Sequence, residues 1–294
     1  MEDVVLFWRK PKSHADIVAD ANRYAASGKH RKALSTLRRL PLESFCELLL
    51  EIPASAPALK TLLPSMASDE SQLHWTGASG RILMTQSVDF LRSLDQASRQ
   101  YRGRGISGNV LDYGCGWGRL LRILLWYVNP DHIYGADPWN QSLEMCHRHN
   151  CPGHLAPCDY IPTALPFTEA FDVVYAFSVF THLSERTADA VLSVLRKSIR
   201  KRGILAITIR PSTYWDYHRA WPDGFTKDAI VKRHEETGFA FVPHELEPVD
   251  GDITYGDTSM TLDFIGRRWP QWKIAGTTQN ASDPLQIIVF LVPA

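Results

Sequence analysis

The stretch VLDYGCGWGRLL, from Val110 to Leu121, constrains this chain more than any other. An apolar run ends in Asp112, and glycines then stand at alternate positions, 114, 116 and 118. Glycine loosens the chain, and a carboxylate at a strand end must find partners, so the pattern costs stability unless it serves a purpose. It predicts a strand ending at Asp112 and a helix starting near Gly118. Between them lies a turn whose bare backbone lets a ligand rest at the helix N-terminus. The plain alternative is a tight strand–helix turn that binds nothing.

The flanking sequence repeats the strand–helix alternation. Strands are expected at Val110–Tyr113, His132–Ala136, Leu155–Cys158, Phe171–Phe177 and Gly203–Ile209, and helices at Arg119–Val128, Gln141–His149 and Glu185–Ile199. Continuous apolar strands alternating with helices mean a parallel sheet covered on both faces. In the tail, Phe239–Leu246, Trp272–Gly276 and Gln286–Val292 are strand-like, and no helix separates the last two. The expected fold class is therefore α/β: a seven-stranded, mostly parallel, doubly wound sheet finished by a C-terminal antiparallel hairpin.

Ahead of this lies a helical appendage. Ile17, Ala21, Tyr24 and Ala25 recur at helical spacing behind a Ser13 cap, Gly28 breaks the pattern, and a second helix runs to Pro41. A third helix is expected around Phe45–Leu49, and SMASDESQ reads as a polar link. The expected division is residues 1–70 for the appendage and 71–294 for the sheet domain. The basic cluster Lys29, Arg31, Lys32, Arg38 and Arg39 reads as a solvated helix face.

Composition narrows the classes. With 32 basic and 32 acidic residues the formal net charge is zero, which argues against a nucleic-acid binder that relies on a broad basic face. No apolar run is long enough to span a bilayer, and MEDVVLFWRKPKSH lacks the basic end and apolar stretch of a signal peptide. Five cysteines, an odd number, suggest reduced thiols and a cytoplasmic location.

The acids that follow the strands select the ligand. A dinucleotide turn wants G-x-G-x-x-G with phosphate over the helix start, whereas here the third glycine comes one residue early and Asp112 points a negative charge into the turn. An anion would be repelled there and an ammonium group held. In IYGADPWN, Asp137 ends a strand where a carboxylate can take both ribose hydroxyls, and in APCDY, Asp159 can accept from an adenine amino group. An adenosine carrying a zwitterionic appendage fits: S-adenosyl-L-methionine. A nicotinamide oxidoreductase is disfavoured by the same glycine spacing and by Asp112.

VLDYGCGWGRLL, IYGADPWN, PCDY and FDVVYAFSVFTHL, in this order and spacing, resemble the successive cofactor motifs of class I S-adenosylmethionine-dependent methyltransferases. The resemblance covers about residues 75 to 294. It implies that Gly114, Cys115, Gly116 and Gly118 wrap the methionine part and that Asp137 holds the ribose with Pro138 and Trp139 beside the adenine. It also implies that Asp159 and Tyr160 meet the adenine edge and that Phe177 and Ser178 lie beside the sulfonium. WTGASG before the first motif, and YGDTSMTLDFIGRRWPQWKIAG with DPLQIIVFLV at the end, resemble methyltransferases of glycan and glycoconjugate biosynthesis.

Methyl transfer needs an aligned acceptor and, for a hydroxyl, a base. His182, after the fourth strand in FSVFTHL, is a candidate base, or else a packing and capping residue. In RPSTYWDYHRAWPDGF, Tyr214, Trp215, Tyr217 and Trp221 offer faces for a sugar ring, and Asp216 and His218 offer hydrogen bonds; Tyr255 and Asp257 close the same pocket in this reading. Aromatics that merely pin a loop are the alternative. CHRHNCPGHLAPC carries zinc-type ligands at Cys146, His147, His149, Cys151, His154 and Cys158, but without the paired C-x₂-C spacing, so no metal is expected. The expected partner is a small-molecule or glycan acceptor. The rivals are methylation of another small metabolite at oxygen or nitrogen, and a non-catalytic S-adenosylmethionine-binding protein.

Overall fold

The computed structural model describes residues 12–294. The opening segment, on which the signal-peptide reading rests, lies mostly outside the described residues. No helix among the described residues is long and apolar enough to cross a membrane.

Seven strands form one sheet: β1 (Val110–Tyr113), β2 (Ile133–Asp137), β3 (His154–Pro157), β4 (Phe171–Ala176), β5 (Ile199–Ile209), and the hairpin pair β8 (Trp272–Asn280) and β9 (Asp283–Pro293). Their order is β3-β2-β1-β4-β5-β9-β8. The first five run parallel, while β9 pairs antiparallel with both β5 and β8. The sheet thus has the expected count, direction and closing hairpin. Alternation along the strands divides the core: Val110, Val173 and Tyr175 face one side, and Leu111, Val174 and Ala176 the other. A second small sheet pairs β6 (Phe239–Pro243) with β7 (Gly256–Met260), so the tail's first strand-like stretch leaves the main sheet.

Helices α1 (His14–Ala26), α2 (His30–Leu37), α3 (Leu42–Leu50), α4 (Pro57–Leu62), α5 (Asp69–Thr76), α6 (Gly80–Arg102) and α7 (Arg119–Leu124) lie towards the Val110 face. Ser13 caps α1 through a capping box with Asp16, as its sequence signature requires. Leu37, Phe45, Leu59 and Leu63 share one continuous core with Phe90, Leu94, Val110 and Leu121, so the N-terminal helices pack directly on the sheet domain. The other face carries α9 (Glu185–Ser198) and α11 (Leu262–Arg268), with α8 (Asn140–Arg148) and α10 (Lys227–Thr237) completing the chain.

Three local expectations change for physical reasons. α7 stops at Leu124 rather than Val128, because Arg38 reaches across and donates to Leu125 O (2.9 Å), Val128 O (2.6 Å) and Asn129 Oδ1 (2.8 Å). Arg38 therefore terminates a helix instead of sitting on a solvated face, which is also why burial lowers its pKa. The polar link SMASDESQ is half helical: Ser68 accepts from Ser71 N and starts α5. In the cysteine–histidine stretch, Cys146 and Cys151 both approach Gly118, whereas His154 stacks on Tyr134.

Candidate functional site

The glycine loop folds as its sequence demands. Gly114, Gly116 and Gly118 have φ of 72°, 53° and 78°, the left-handed region that β-carbons disfavour. A Cβ at Gly114 would stand 2.5 Å from Val179 Cγ2, and one at Gly118 2.6 Å from Cys151 Sγ. Gly116 instead faces the half-buried Trp75 ring of α5, 3.7 Å from where its Cβ would be. Trp75 also stacks on the exposed Trp139 at 4.6 Å. Buried Gln72 holds this cover in place: it donates to Ala67 O (2.7 Å) and accepts from Gly80 N (3.0 Å).

Asp137 sits at the end of β2 with both carboxylate oxygens engaged by backbone, Oδ2 by Gly116 N (2.8 Å) and Oδ1 by Trp139 N (2.9 Å). A carboxylate offers about four lone-pair positions, so this fixes its orientation and leaves acceptor capacity for two more donors. Cys115 is buried behind the loop. Beyond the strand ends, a cleft of ≈ 590 Å³ is lined by Pro138, Pro157, Asp159, Tyr160, Val249 and Asp250, among others. Pro138, Asp159 and Tyr160 thus share one cleft wall.

At the other end of the loop Asp112 is almost fully buried, and burial pushes its pKa up to about 8 against the pull of Tyr175 and Arg119. The Tyr175 Oη beside it is buried and makes no hydrogen bond of good geometry, the Asp112 carboxyl being its nearest candidate. The Arg119 guanidinium lies 4.7 Å over the Phe177 ring and makes no hydrogen bond or ion pair among the described residues; burial lowers its pKa to about 10. A buried acid, an unsatisfied phenol and an uncommitted guanidinium suit a zwitterionic amino-acid head. Sequence reasoning missed Arg119 and Tyr175. Arg119 falls just past the glycine motif, and Tyr175 is hidden in an apolar strand. Ser178, after β4, is held at φ 59° with its N–H on Thr208 Oγ1 (2.6 Å), a strained non-glycine position of the kind found at functional sites.

The acceptor-side candidates gather around Asp257 on β7. It accepts from Arg210 Nη1 (2.5 Å), Tyr214 Oη (2.8 Å), His218 Nε2 (3.2 Å) and His244 Nε2 (3.0 Å). Burial alone would raise this carboxyl, but the hydrogen bond from His244 and the Arg210 charge hold it well below the usual carboxylate range. Asp257 is therefore an ionised anchor with its oxygens occupied. His182 turns Nδ1 to Gly256 O (2.7 Å), meets Arg210 Nη2 at Nε2 (3.4 Å) and stacks on Tyr255 at 4.9 Å. Burial, and then the Arg210 charge, push it down to about 4, so it is a neutral imidazole and a weak base at neutral pH. Asp216 does not join the group. It is exposed, ion-paired to Lys227 (2.6 Å), and lines a separate surface groove with α10. Trp215 is fully buried, its Nε1 on Ser259 Oγ (2.8 Å), so it pins the loop rather than facing a ligand. His244 and Arg210 are the residues sequence reasoning did not find here; neither carries a motif, and only the pairing of β6 with β7 brings His244 to Asp257.

A doubly wound sheet with this strand order places the glycine loop and Asp137 at the strand ends, where ligands of such sheets bind. Residues 110–203 match the family model described as a methyltransferase domain. The matched segment carries the glycine loop, Asp112, Asp137, Asp159 and Ser178. Among solved structures, it is similar to an S-adenosylmethionine-dependent methyltransferase from Clostridium acetobutylicum ATCC 824, at 12% identity over 76% of this chain and 97% of that one, with a TM-score of 0.52. Glycopeptide N-methyltransferase MtfA, solved with S-adenosylmethionine, gives 15% identity over 68% and 94% at 0.46. DesVI of Streptomyces venezuelae gives 11% over 78% and 100% at 0.49. At these levels the first likeness establishes the fold, and the other two carry no weight on substrate. No curated protein matches the chain.

Proposed function

We propose that the chain methylates a hydroxyl of a sugar or glycoconjugate, using S-adenosylmethionine. The observation that carries this reading is the aromatic and hydrogen-bonding wall beside the donor cleft. Tyr255 is exposed and stacked on His182, Tyr214 lies under the Arg210 cation at 3.9 Å, and Trp221 packs edge-on against His218 at 4.5 Å. Flat rings interleaved with fixed polar groups suit a sugar's alternating apolar faces and hydroxyls.

On this reading Asp137 would hold the ribose hydroxyls, Asp112 the ammonium, and Arg119 with Tyr175 the carboxylate of the donor. Gly114, Gly116 and Gly118 would give its methionine part room, with Phe177 and Ser178 beside the sulfonium and Pro138, Trp139, Asp159 and Tyr160 around the adenine. The bound sulfonium supplies an already activated methyl group, so the protein's work is alignment, exclusion of water and proton removal. The five unbridged cysteines fit a reducing, cytoplasmic setting.

The test is calorimetry with S-adenosylmethionine and NAD, then S-adenosylhomocysteine release against p-nitrophenyl glycosides, sugar nucleotides, phenols and amines. Donor binding with methylated glycosides is the expected result. Methylation of phenols or amines alone would move the substrate to another metabolite, and binding without any turnover would make the chain a donor-binding module.

A further inference from the structure

The groups around Asp257 differ in one respect that decides proton transfer, namely which of them keeps a free basic nitrogen at the surface. Asp257 is ionised and can only accept, so each imidazole nitrogen facing it carries the hydrogen. For His218 that nitrogen is Nε2, which leaves Nδ1 as the lone pair; Nδ1 is buried, without a partner and closed off from substrate. For His182, Nδ1 donates to Gly256 O, and the remaining lone pair on Nε2 faces the Arg210 guanidinium. A proton arriving there would meet a fixed positive charge. His244 differs from both. Its Nε2–H donates to Asp257 Oδ2 at 3.0 Å, its side chain is 42% exposed, and its Nδ1 takes no hydrogen bond among the described residues.

We propose that His244, oriented by Asp257, is the general base of this enzyme, and that it accepts the acceptor hydroxyl's proton at Nδ1. This rests on the reading of the site as a hydroxyl methyltransferase. The loop after β6 starts at His244, lines the donor cleft at Val249 and Asp250, and returns to the sheet at Tyr255, so one segment carries both the base and a wall of the donor site. The His244 and Tyr255 rings are 5.5 Å apart, and Tyr255 stacks on His182 in the segment between β4 and α9. As the acceptor oxygen bonds the methyl carbon, the carbon–sulfur bond breaks with its electron pair left on sulfur, and the oxygen's proton passes to Nδ1. The imidazolium is then stabilised by the Asp257 carboxylate and releases its proton to solvent. Orienting an imidazole by a buried aspartate on its far nitrogen is the arrangement that general-base histidines use in hydrolases. Arg210, His182, His218, Tyr214 and Tyr255 are the titratable or charged groups packed around the pair.

Two readouts test the proposal on the full chain. Nitrogen-15 NMR of the histidine rings, without any acceptor, should find neutral His244 as the Nε2–H form, and Asp257→Ala should remove that preference. A Nδ1–H form in the parent, or a tautomer indifferent to Asp257→Ala, would overturn the dyad. With any glycoside the parent methylates, His244→Gln should lower turnover by about 10²–10⁴-fold while S-adenosylhomocysteine affinity by calorimetry stays at the parent level. Near-parent turnover in His244→Gln would also overturn it. A parent that methylates no hydroxyl while its NMR shows the dyad refutes the hydroxyl reading and, with it, the base role.

Discussion

At the scale of single residues, Asp112 and Asp137 illustrate two ways of holding a carboxylate at a strand end. Asp137 is given two backbone N–H donors, which make it a ready acceptor. Asp137→Ala should therefore cost about 1.5–3 kcal/mol of S-adenosylmethionine binding, the range for a charge-assisted hydrogen bond, measured by calorimetry on the folded variant. Asp112 has burial instead of donors, and its pKa rises to about 8. In the folded chain it keeps its proton where the unfolded chain has lost it, so the stability it contributes is complete below about pH 4 and disappears as pH rises towards about 8. Asp112→Asn removes that dependence. Without donor, the variant should melt higher than the parent, with a margin larger at pH 8 than at pH 5, and it should bind S-adenosylmethionine more weakly. A margin that shrinks between pH 5 and pH 8 would contradict the raised pKa.

At the scale of elements, what the sequence showed depended on whether a local signal existed. The strands β1, β2 and β4 and the Gly203–Ile209 part of β5 are short apolar runs, and helix α1 carries its own capping box, so all were legible, whereas the charged start of β5 at Ile199–Arg202 was not. The end of α7 was not, because it is set by Arg38, 87 residues away from the carbonyl of Leu125. α5 was half hidden in a polar link, since only its Ser68 cap announces it and its inward face is a single buried glutamine. That glutamine gives the element-scale prediction. Gln72→Ala leaves Ala67 O and Gly80 N without partners at the α5–α6 junction, and should cost about 1–3 kcal/mol in denaturant unfolding. It should also loosen the Trp75 cover over Gly116, visible as greater acrylamide quenching of tryptophan fluorescence. An unchanged midpoint would mean water replaces both bonds at no cost.

At the scale of the whole molecule, the division near residue 70 is a change in sequence pattern that the packing crosses. Leu37, Phe45 and Leu59 are buried with Phe90 and Leu121, Trp126 Nε1 donates to Leu40 O at 2.9 Å, and Arg122 donates to Ser65 O at 2.9 Å. A chain that shares one core unfolds as one unit. Thermal unfolding followed by far-ultraviolet circular dichroism and by tryptophan fluorescence should give coincident transitions. Two separated transitions would establish the N-terminal helices as an independent domain. For the same reason a chain starting at Ser68 should be less stable than the parent, because it exposes the apolar face those helices cover.

The sequence by itself determined the sheet, the glycine loop and the acids at its strand ends, because each rests on local chemistry: apolar periodicity, left-handed backbone that only glycine tolerates cheaply, and a carboxylate at or next to a strand end. Even His182 and Asp257 could be picked out as polar residues in suggestive places. Tertiary structure alone decided what they do. It set Asp257 among Arg210, Tyr214, His218 and His244, residues up to 47 positions away from it, and so converted a candidate base into an occupied anchor. It removed Asp216 to the surface, and turned His182 towards Gly256 and an arginine. Whether a carboxylate or an imidazole can take a proton depends on which atoms face it, and that is a property of packing between distant segments rather than of any stretch of sequence.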